Sequence, residues 1–426
     1  MGILVQGVAI VTSIFSVPLT VAYLGTERYG IWLTLNSALT WLYLGQMGLG
    51  GNALVTRLSK SLAAKDNEET AALVSSAFFA LIGVAVTIGL ILTAIVWGAE
   101  WRSIFNASAR VSADELSAAV AVSLFLFLTL FPSTVVDAVF VAHHEGYIAS
   151  GWALAANLLS FGGLLYAVST KASLPVLVGA VFGARVVSGI LAGATLFARR
   201  PTLLPRPGNV SKDTLRSLGG LGARYLVAQL TSMGMFQSQP FIVSQILGPA
   251  SVGVFGVTQR LITLPLIVVQ SMANAHTAAY AAAASRGEWV WLRRTLMRNT
   301  LIATIGGAFV LIIMAFIARP LIRVWAGPEM VPSASLPIWL ALYGWVSCLV
   351  TDASSFLYAV ERVGRQARYG IINAVLTITL GIGFTSLWGL PGLGAAMFVS
   401  LALVNPAAQW SELKATGLMS EGKSRT

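Results

Sequence analysis

Residues 301–318, LIATIGGAFVLIIMAFIA, run for 18 positions without a charge. A helix rises about 1.5 Å per residue, so roughly 20 such residues match the ~30 Å hydrocarbon core of a bilayer. Twelve runs in the chain have this character, at about 3–23, 30–56, 72–97, 116–142, 148–168, 174–198, 219–247, 252–283, 296–318, 334–359, 369–388 and 391–409. Charged residues make up 10 % of the 426, where a soluble protein carries about 25 %, and the mean hydropathy is +0.79. The expected fold class is therefore all-α, an integral membrane protein with about twelve transmembrane helices. The longest connection, 199–218 (RRPTLLPRPGNVSKDTLRSL), carries three prolines and five basic residues. No loop is long enough to fold alone.

The charge distribution supports that count. Lys and Arg resist translocation and collect on the cytoplasmic side. With twelve helices, the side holding both termini collects 18 of the 27 basic residues. Three lie at 57–65, five at 199–216, four at 286–298, three at 362–368 and three at 414–425. The opposite side has six: Arg28, Arg102, Arg110, Lys171, Arg319 and Arg323. A wrong helix count would scramble this asymmetry. Both termini are expected in the cytoplasm, and the net charge of +11 reflects basic loops facing anionic lipid rather than nucleic acid.

The sequence repeats itself at half its length. Pro18, Leu24-Gly25 and Gly30-Ile31-Trp32 follow the first run; Pro240, Leu247-Gly248 and Gly253-Val254-Phe255 follow the seventh. The two Leu-Gly pairs are 223 residues apart. Each stretch closes one span and opens the next, so the chain reads as two six-helix lobes. Six is even, so both lobes insert the same way, as parallel repeats about the membrane normal do. The expected boundaries are an N-terminal lobe at 1–198, a cytoplasmic linker at 199–218 and a C-terminal lobe with a short tail at 219–426. Pro18 and Pro240 are expected to kink their helices, with Gly25, Gly30, Gly248 and Gly253 forming the hinges.

The stretch SVPLTVAYLGTERYGIWLTLNSALTWLYLGQMGLGGNALVTRLSKSLAAKDNEE, with its P-x5-LG-x2-RYGIW, its Gly-rich LGQMGLGG and the basic loop that follows, resembles the opening of Wzx-type oligosaccharide flippases. These belong to the multidrug/oligosaccharidyl-lipid/polysaccharide exporter superfamily. The resemblance is strongest over 14–70 and weaker over 239–300. The chain departs from the family pattern in having no basic segment before its first helix. The resemblance implies two lobes facing each other across a central cavity lined by helices one, two, seven and eight. It also implies movement of an undecaprenyl-diphosphate-linked oligosaccharide from the cytoplasmic to the outer leaflet of a bacterial inner membrane. Its partners would then be that lipid-linked substrate, membrane lipids and other polysaccharide assembly proteins. No nucleic acid is expected.

Charges inside spans cost about 2.5–3.5 kcal/mol each on insertion scales, so each is a functional candidate. An Arg fork can hold two phosphate oxygens at once. The candidates for holding a diphosphate are Arg260, Arg224, Arg28 and Arg185, in that order, with an ion pair or interfacial snorkelling as the structural alternative. Asn36, Gln46, Gln229, Gln237 and Gln239 are candidates for meeting sugar hydroxyls, or for joining helices. Asp137 and Asp352 sit in the corresponding spans four and ten. They are candidates for coupling to a proton or sodium gradient, or for helix–helix ion pairs. No cofactor and no metal site is expected. Cys348 is the lone cysteine, and adjacent residues such as His143-His144-Glu145 rarely converge on one ion. No nucleotide loop or catalytic constellation stands out, so the chain reads as a transporter and not an enzyme. The alternative is a cation-coupled exporter of drugs or small metabolites from the same superfamily. A site for cationic drugs should be rich in acids, and the spans carry three Arg against two Asp.

Overall fold

The computed structural model describes residues 2–46, 51–109, 111–220, 237–360 and 363–416, which are helical apart from turns and short connections. The helices are α1 (Gly2–Gln46), α2 (Asn52–Ala63), α3 (Asn67–Gly98), α4 (Trp101–Ile104), α5 (Ala113–Thr129), α6 (Ser133–Ala142), α7 (Gly146–Ser169) and α8 (Leu174–Arg199). Beyond them come α9 (Gln239–Leu247), α10 (Pro249–Ser285), α11 (Trp289–Trp325), α12 (Ser335–Ala359), α13 (Val363–Trp388) and α14 (Leu390–Ala415). Among the described residues, ten segments are long and apolar enough to cross a bilayer. One of them, Gly7–Thr40, holds two helices that meet at Gly25, and so contains spans one and two. The expected seventh span falls largely outside the described residues; α9 is its far end.

Several boundaries move for identifiable reasons. The fourth span is two helices: amides of Leu130 and Phe131 bond three residues back, and Pro132, which has no N–H, opens α6. The ninth span lengthens to the 37 residues of α11, because the amphipathic WVWLRR segment continues the helix. The outward surface of α11 is nearly all apolar, with Leu301, Ile305, Phe309, Ile312 and Phe316 exposed. In water this would be a large interaction surface; in a bilayer it is the lipid-facing side.

The chain divides into two compact units, Met1–Met233 and Gly234–Thr426. The first unit includes residues 199–218, expected as a linker. Two 3-10 turns, Pro201–Leu203 and Pro207–Asn209, lead this segment along α3. There the backbone N–H groups of Arg206 and Ser211 donate to the hydroxyls of Ser75 and Ser76 at 3.2 and 3.1 Å. At its start Arg200 forms a two-pronged pair with Glu145, both bonds 2.8 Å long. In the second unit, helices approach closely through small residues. A Cβ on Gly307 of α11 would lie 2.6 Å from Cys348 Sγ of α12, the kind of contact that holds helices together in lipid.

Candidate functional site

The two hinges share one backbone solution. Gly25 has φ 71°, ψ 174° and Gly248 has φ 84°, ψ 164°, a region that essentially only glycine occupies. A Cβ at either would meet nothing within 4 Å, so the requirement comes from the backbone and not from crowding. The internal repeat seen in the sequence is thus a repeat of conformation. Pro18 lies inside α1, whereas Pro240 stands in the first turn of α9. Gly30 and Gly253 are buried in the helices that follow the hinges.

Arg28 sits one turn past the first hinge. Its Nη2 is 2.9 Å from Glu115 Oε2, and Glu115 Oε1 accepts the Leu174 N–H at 3.1 Å. One carboxylate therefore ties the hinge to the starts of α5 and α8. Arg28 lines a cavity of about 950 Å³ with Pro18, Tyr23, Glu115 and Lys171. Beside it, Glu27 accepts both the backbone N–H and the hydroxyl of Ser108, at 2.6 and 2.8 Å. With its charge matched by Glu115, Arg28 has a structural task at this end of the unit.

Arg185 is placed differently. Val176, Val187, Ile190, Leu191 and Ala194 are exposed along one side of α8. Arg185 is nine residues from both Val176 and Ala194, about two and a half turns, which sets it on the opposite side. That side is otherwise buried: Val178, Phe182 and Ala192 flank the arginine. The guanidinium carbon lies 5.6 Å from the centre of the Phe182 ring, which in turn lies 5.7 Å from that of Trp32 on α1. A cation–π contact sets the head group beside the ring.

On α10, Arg260 is exposed among mostly buried neighbours, and Ser271 and Asn274 are exposed 11 and 14 residues further along the same face. Gln270 donates to Asn274 at 3.0 Å. Leu264 and Ile267 lie between Arg260 and Ser271 on that face, so polar groups stand at its two ends with apolar side chains in the middle.

The uncharged candidates divide. Asn36 is half-buried and donates to the Trp32 carbonyl of its own helix at 2.8 Å. Gln239 is 1 % exposed and accepts from Gln259 at 2.7 Å, joining α9 to α10. It acts as helix glue and offers nothing to a sugar. Gln237 is half-buried in the turn before α9. Arg224 and Gln229 lie outside the described residues, as does the side chain of Gln46.

The two aspartates have unlike surroundings. Asp137 is exposed on α6. Asp352 is buried in α12, with His276 Nδ1 of α10 at 3.6 Å. Asn299 Nδ2 of α11 is 3.2 Å from that same nitrogen and donates to the Tyr280 hydroxyl at 3.1 Å. Reasoning from sequence missed His276 and Asn299. A histidine within span eight was the available signal, hidden because AHTAAY runs into the basic end of that helix.

A family model described as polysaccharide biosynthesis protein matches residues 1–280. The chain belongs to that family. No curated protein matches. Among solved structures, this family member is similar to an inward-facing multidrug resistance MATE family transporter of the MOP superfamily. Identity is 14 % and the TM-score 0.81, covering 99 % of this chain and 100 % of the other. It is also similar to the lipid II flippase MurJ in an inward closed conformation, at 13 % identity and TM-score 0.69, covering 96 % and 87 %. A MOP superfamily transporter from Pyrococcus furiosus, whose structure is described as having reversed binding-pocket polarity, matches at 16 % identity and TM-score 0.64, covering 98 % and 93 %. The fold is therefore that of MOP superfamily transporters, as the resemblance of residues 14–70 implies.

Proposed function

We propose that the protein is a flippase. It carries an undecaprenyl-diphosphate-linked oligosaccharide from the cytoplasmic to the outer leaflet of a bacterial inner membrane, with both termini in the cytoplasm. Membership in the polysaccharide biosynthesis protein family supports the substrate class, and the likeness to a lipid II flippase supports the lipid-linked form. The observation that carries the reading is the exposed arginine set within apolar spans, once in each unit: Arg185 opposite the apolar stripe of α8, and Arg260 among mostly buried neighbours on α10.

The chemistry follows from the cost of the task. An anionic diphosphate with hydrated sugars cannot cross roughly 30 Å of hydrocarbon unaided. Arg185 and Arg260 would supply forked donors along a wet path, and each would hold the charge without neutralising it permanently. Alternating access would expose that path first to one leaflet and then to the other, with Gly25 and Gly248 as hinges. The glycan would meet Ser271, Asn274 and Gln270, while the isoprenoid stays in lipid. An exporter of cationic drugs is less well supported, because the spans carry three Arg against two Asp.

Proteoliposomes containing the protein and a fluorescent short-chain polyprenyl-diphosphate oligosaccharide test this. Transfer between leaflets is read by quenching from outside. Arg185→Ala and Arg260→Ala should each lower the rate at least tenfold, with Lys at either position restoring part of it. Normal flipping by both alanine variants, or no flipping by the wild type, refutes the reading.

A further inference from the structure

The valley between α11 and α12 holds a groove of about 770 Å³. On α11 its lining includes positions 304, 308, 311, 315 and 319, which share one helical face. Small residues make the floor: Ala308 and Ala315 are half-buried, and Ala341 of α12 is buried. Large ones make the walls. Phe316 of α11 is 81 % exposed, and Ile338 and Trp345 of α12 are 52 % and 40 % exposed. A lipid chain on a flat helix face touches protein on one side only. A chain in this groove touches it on three, and every added close contact brings dispersion energy.

The groove is amphiphilic along its length. Arg319, at one end, is exposed, and its Nε donates to the Pro332 carbonyl at 3.2 Å. That bond steadies the guanidinium and leaves its two Nη groups without a protein partner among the described residues. Arg323 is exposed one turn further on, and no described carboxylate pairs with either arginine; Glu329, in the turn after α11, is exposed and unpaired. Thr304 lies at the other end, and the rest of the lining is aliphatic or aromatic. Residues 304 and 319 are about 22 Å apart along the helix, against ~15 Å for half of the ~30 Å hydrocarbon core. The groove is therefore as deep as one leaflet, with a cationic fork at its head-group end. With both termini in the cytoplasm, as proposed above, that leaflet is the outer one.

We propose that this groove is a binding site for one anionic diacyl phospholipid of the outer leaflet, whatever solute the protein carries. The lipid phosphate sits on the Arg319 fork, whose parallel N–H donors suit two of its oxygens. The acyl chains lie along the alanine floor, between the walls of Phe316, Ile338 and Trp345. At roughly 30 Å³ for a group the size of a water molecule, the groove takes on the order of 25 such groups, more than a single chain fills. Arg319 and Arg323 put two positive charges one turn apart with no acid paired to them. That favours a head group of net negative charge over one that carries its own ammonium. A lipid held this way touches both helices at once, so its binding stabilises their packing.

Full-length protein in detergent, stripped of lipid and titrated with phosphatidylglycerol, tests this. Native mass spectrometry counts the lipids retained, and the thermal midpoint reads the stabilisation. The wild type should keep one phosphatidylglycerol after the others are lost, and its midpoint should rise with the concentration of that lipid. Arg319→Ala should weaken binding at least fivefold, with Arg319→Lys in between. Ala315→Leu, which fills the floor and leaves the arginine in place, should weaken it to a similar extent. If Ala315→Leu lowers the midpoint without lipid, Arg319→Ala decides alone, because that side chain is exposed. Phosphatidylethanolamine with the same chains should bind several-fold more weakly, and inorganic phosphate should neither bind nor compete. Equal binding by wild type and Arg319→Ala, equal binding of the two lipids, or displacement by inorganic phosphate overturns the proposal. So does preferential binding of a polyprenyl phosphate, which would make the groove part of the carried lipid's path. A dimer crosslinked through Ile338→Cys, with the groove filled by a second copy, overturns it too. None of these measurements uses transport, so a failure of the flippase reading leaves the lipid site standing, and the converse holds.

Discussion

Asp137 and Asp352 lie in corresponding spans of the two units, and each precedes a fully buried phenylalanine, Phe140 and Phe356. Asp137 is exposed. Asp352 is buried against His276 beside a mostly apolar cavity. The hinges show the reverse: Gly25 and Gly248 adopt nearly the same dihedral angles. What the repeat shares is the backbone that turns the chain. What it does not share is the chemistry inside the spans. The first unit sets its cation on an aromatic ring, while the second buries a titratable acid.

The largest effects should come from the shared packing. Phe140→Ala and Phe356→Ala should each cost about 3–5 kcal/mol, read as lowered thermal midpoints in detergent. Both rings are fully buried, so the two losses should be similar. A clear difference between them would show that the units are packed unlike each other. Next come the hinges. Gly25→Ala and Gly248→Ala should each destabilise by about 1–3 kcal/mol through backbone strain alone. Gly183→Ala, within α8 with free space around it, should instead stabilise by about 0.5–1 kcal/mol. Unequal costs at the two hinges would mean that the repeat has diverged in conformation as well as in chemistry.

The extent to which the molecule was legible in its sequence follows the same line. Hydropathy is a property of each helix alone, so spans and repeat could be read directly. The Leu-Gly pairs located both hinge glycines, because φ > 0 leaves few alternatives. Pairings between distant helices were out of reach. Arg28 looked like a phosphate ligand until Glu115, 87 residues on, was found against it. Gln239 could have met a sugar or joined helices, and only Gln259, 20 residues on, shows the second. The basic segment 199–218 read as a linker, since nothing in its composition announces the two hydroxyls of α3 that hold it. Asp352 was visible and its partner was not, because two residues 76 positions apart meet only once three helices have packed.

The smallest expected effect separates the basic ends of the two units by acid. In the first, Arg200 grips Glu145 with two bonds at side-chain exposures near one quarter, and that hydrogen bonding holds the Glu145 carboxyl below its usual value of 4.5. In the second, Arg286 and Glu288 pair across two residues of an exposed turn. A carboxyl whose folded value is depressed adds stability above its unfolded value, and that stability fades as pH falls from about 4.5 through the folded value. Glu145→Gln should therefore lower the thermal midpoint at pH 7 by the equivalent of about 0.5–1 kcal/mol, and the gap to wild type should close as pH falls below 4.5. The exposed pair orders only its own turn, so Glu288→Gln should leave the midpoint unchanged at either pH. An equal acid-sensitive gap in both variants would show that the two ends are held alike, and would confine the asymmetry of the units to the interior of their spans.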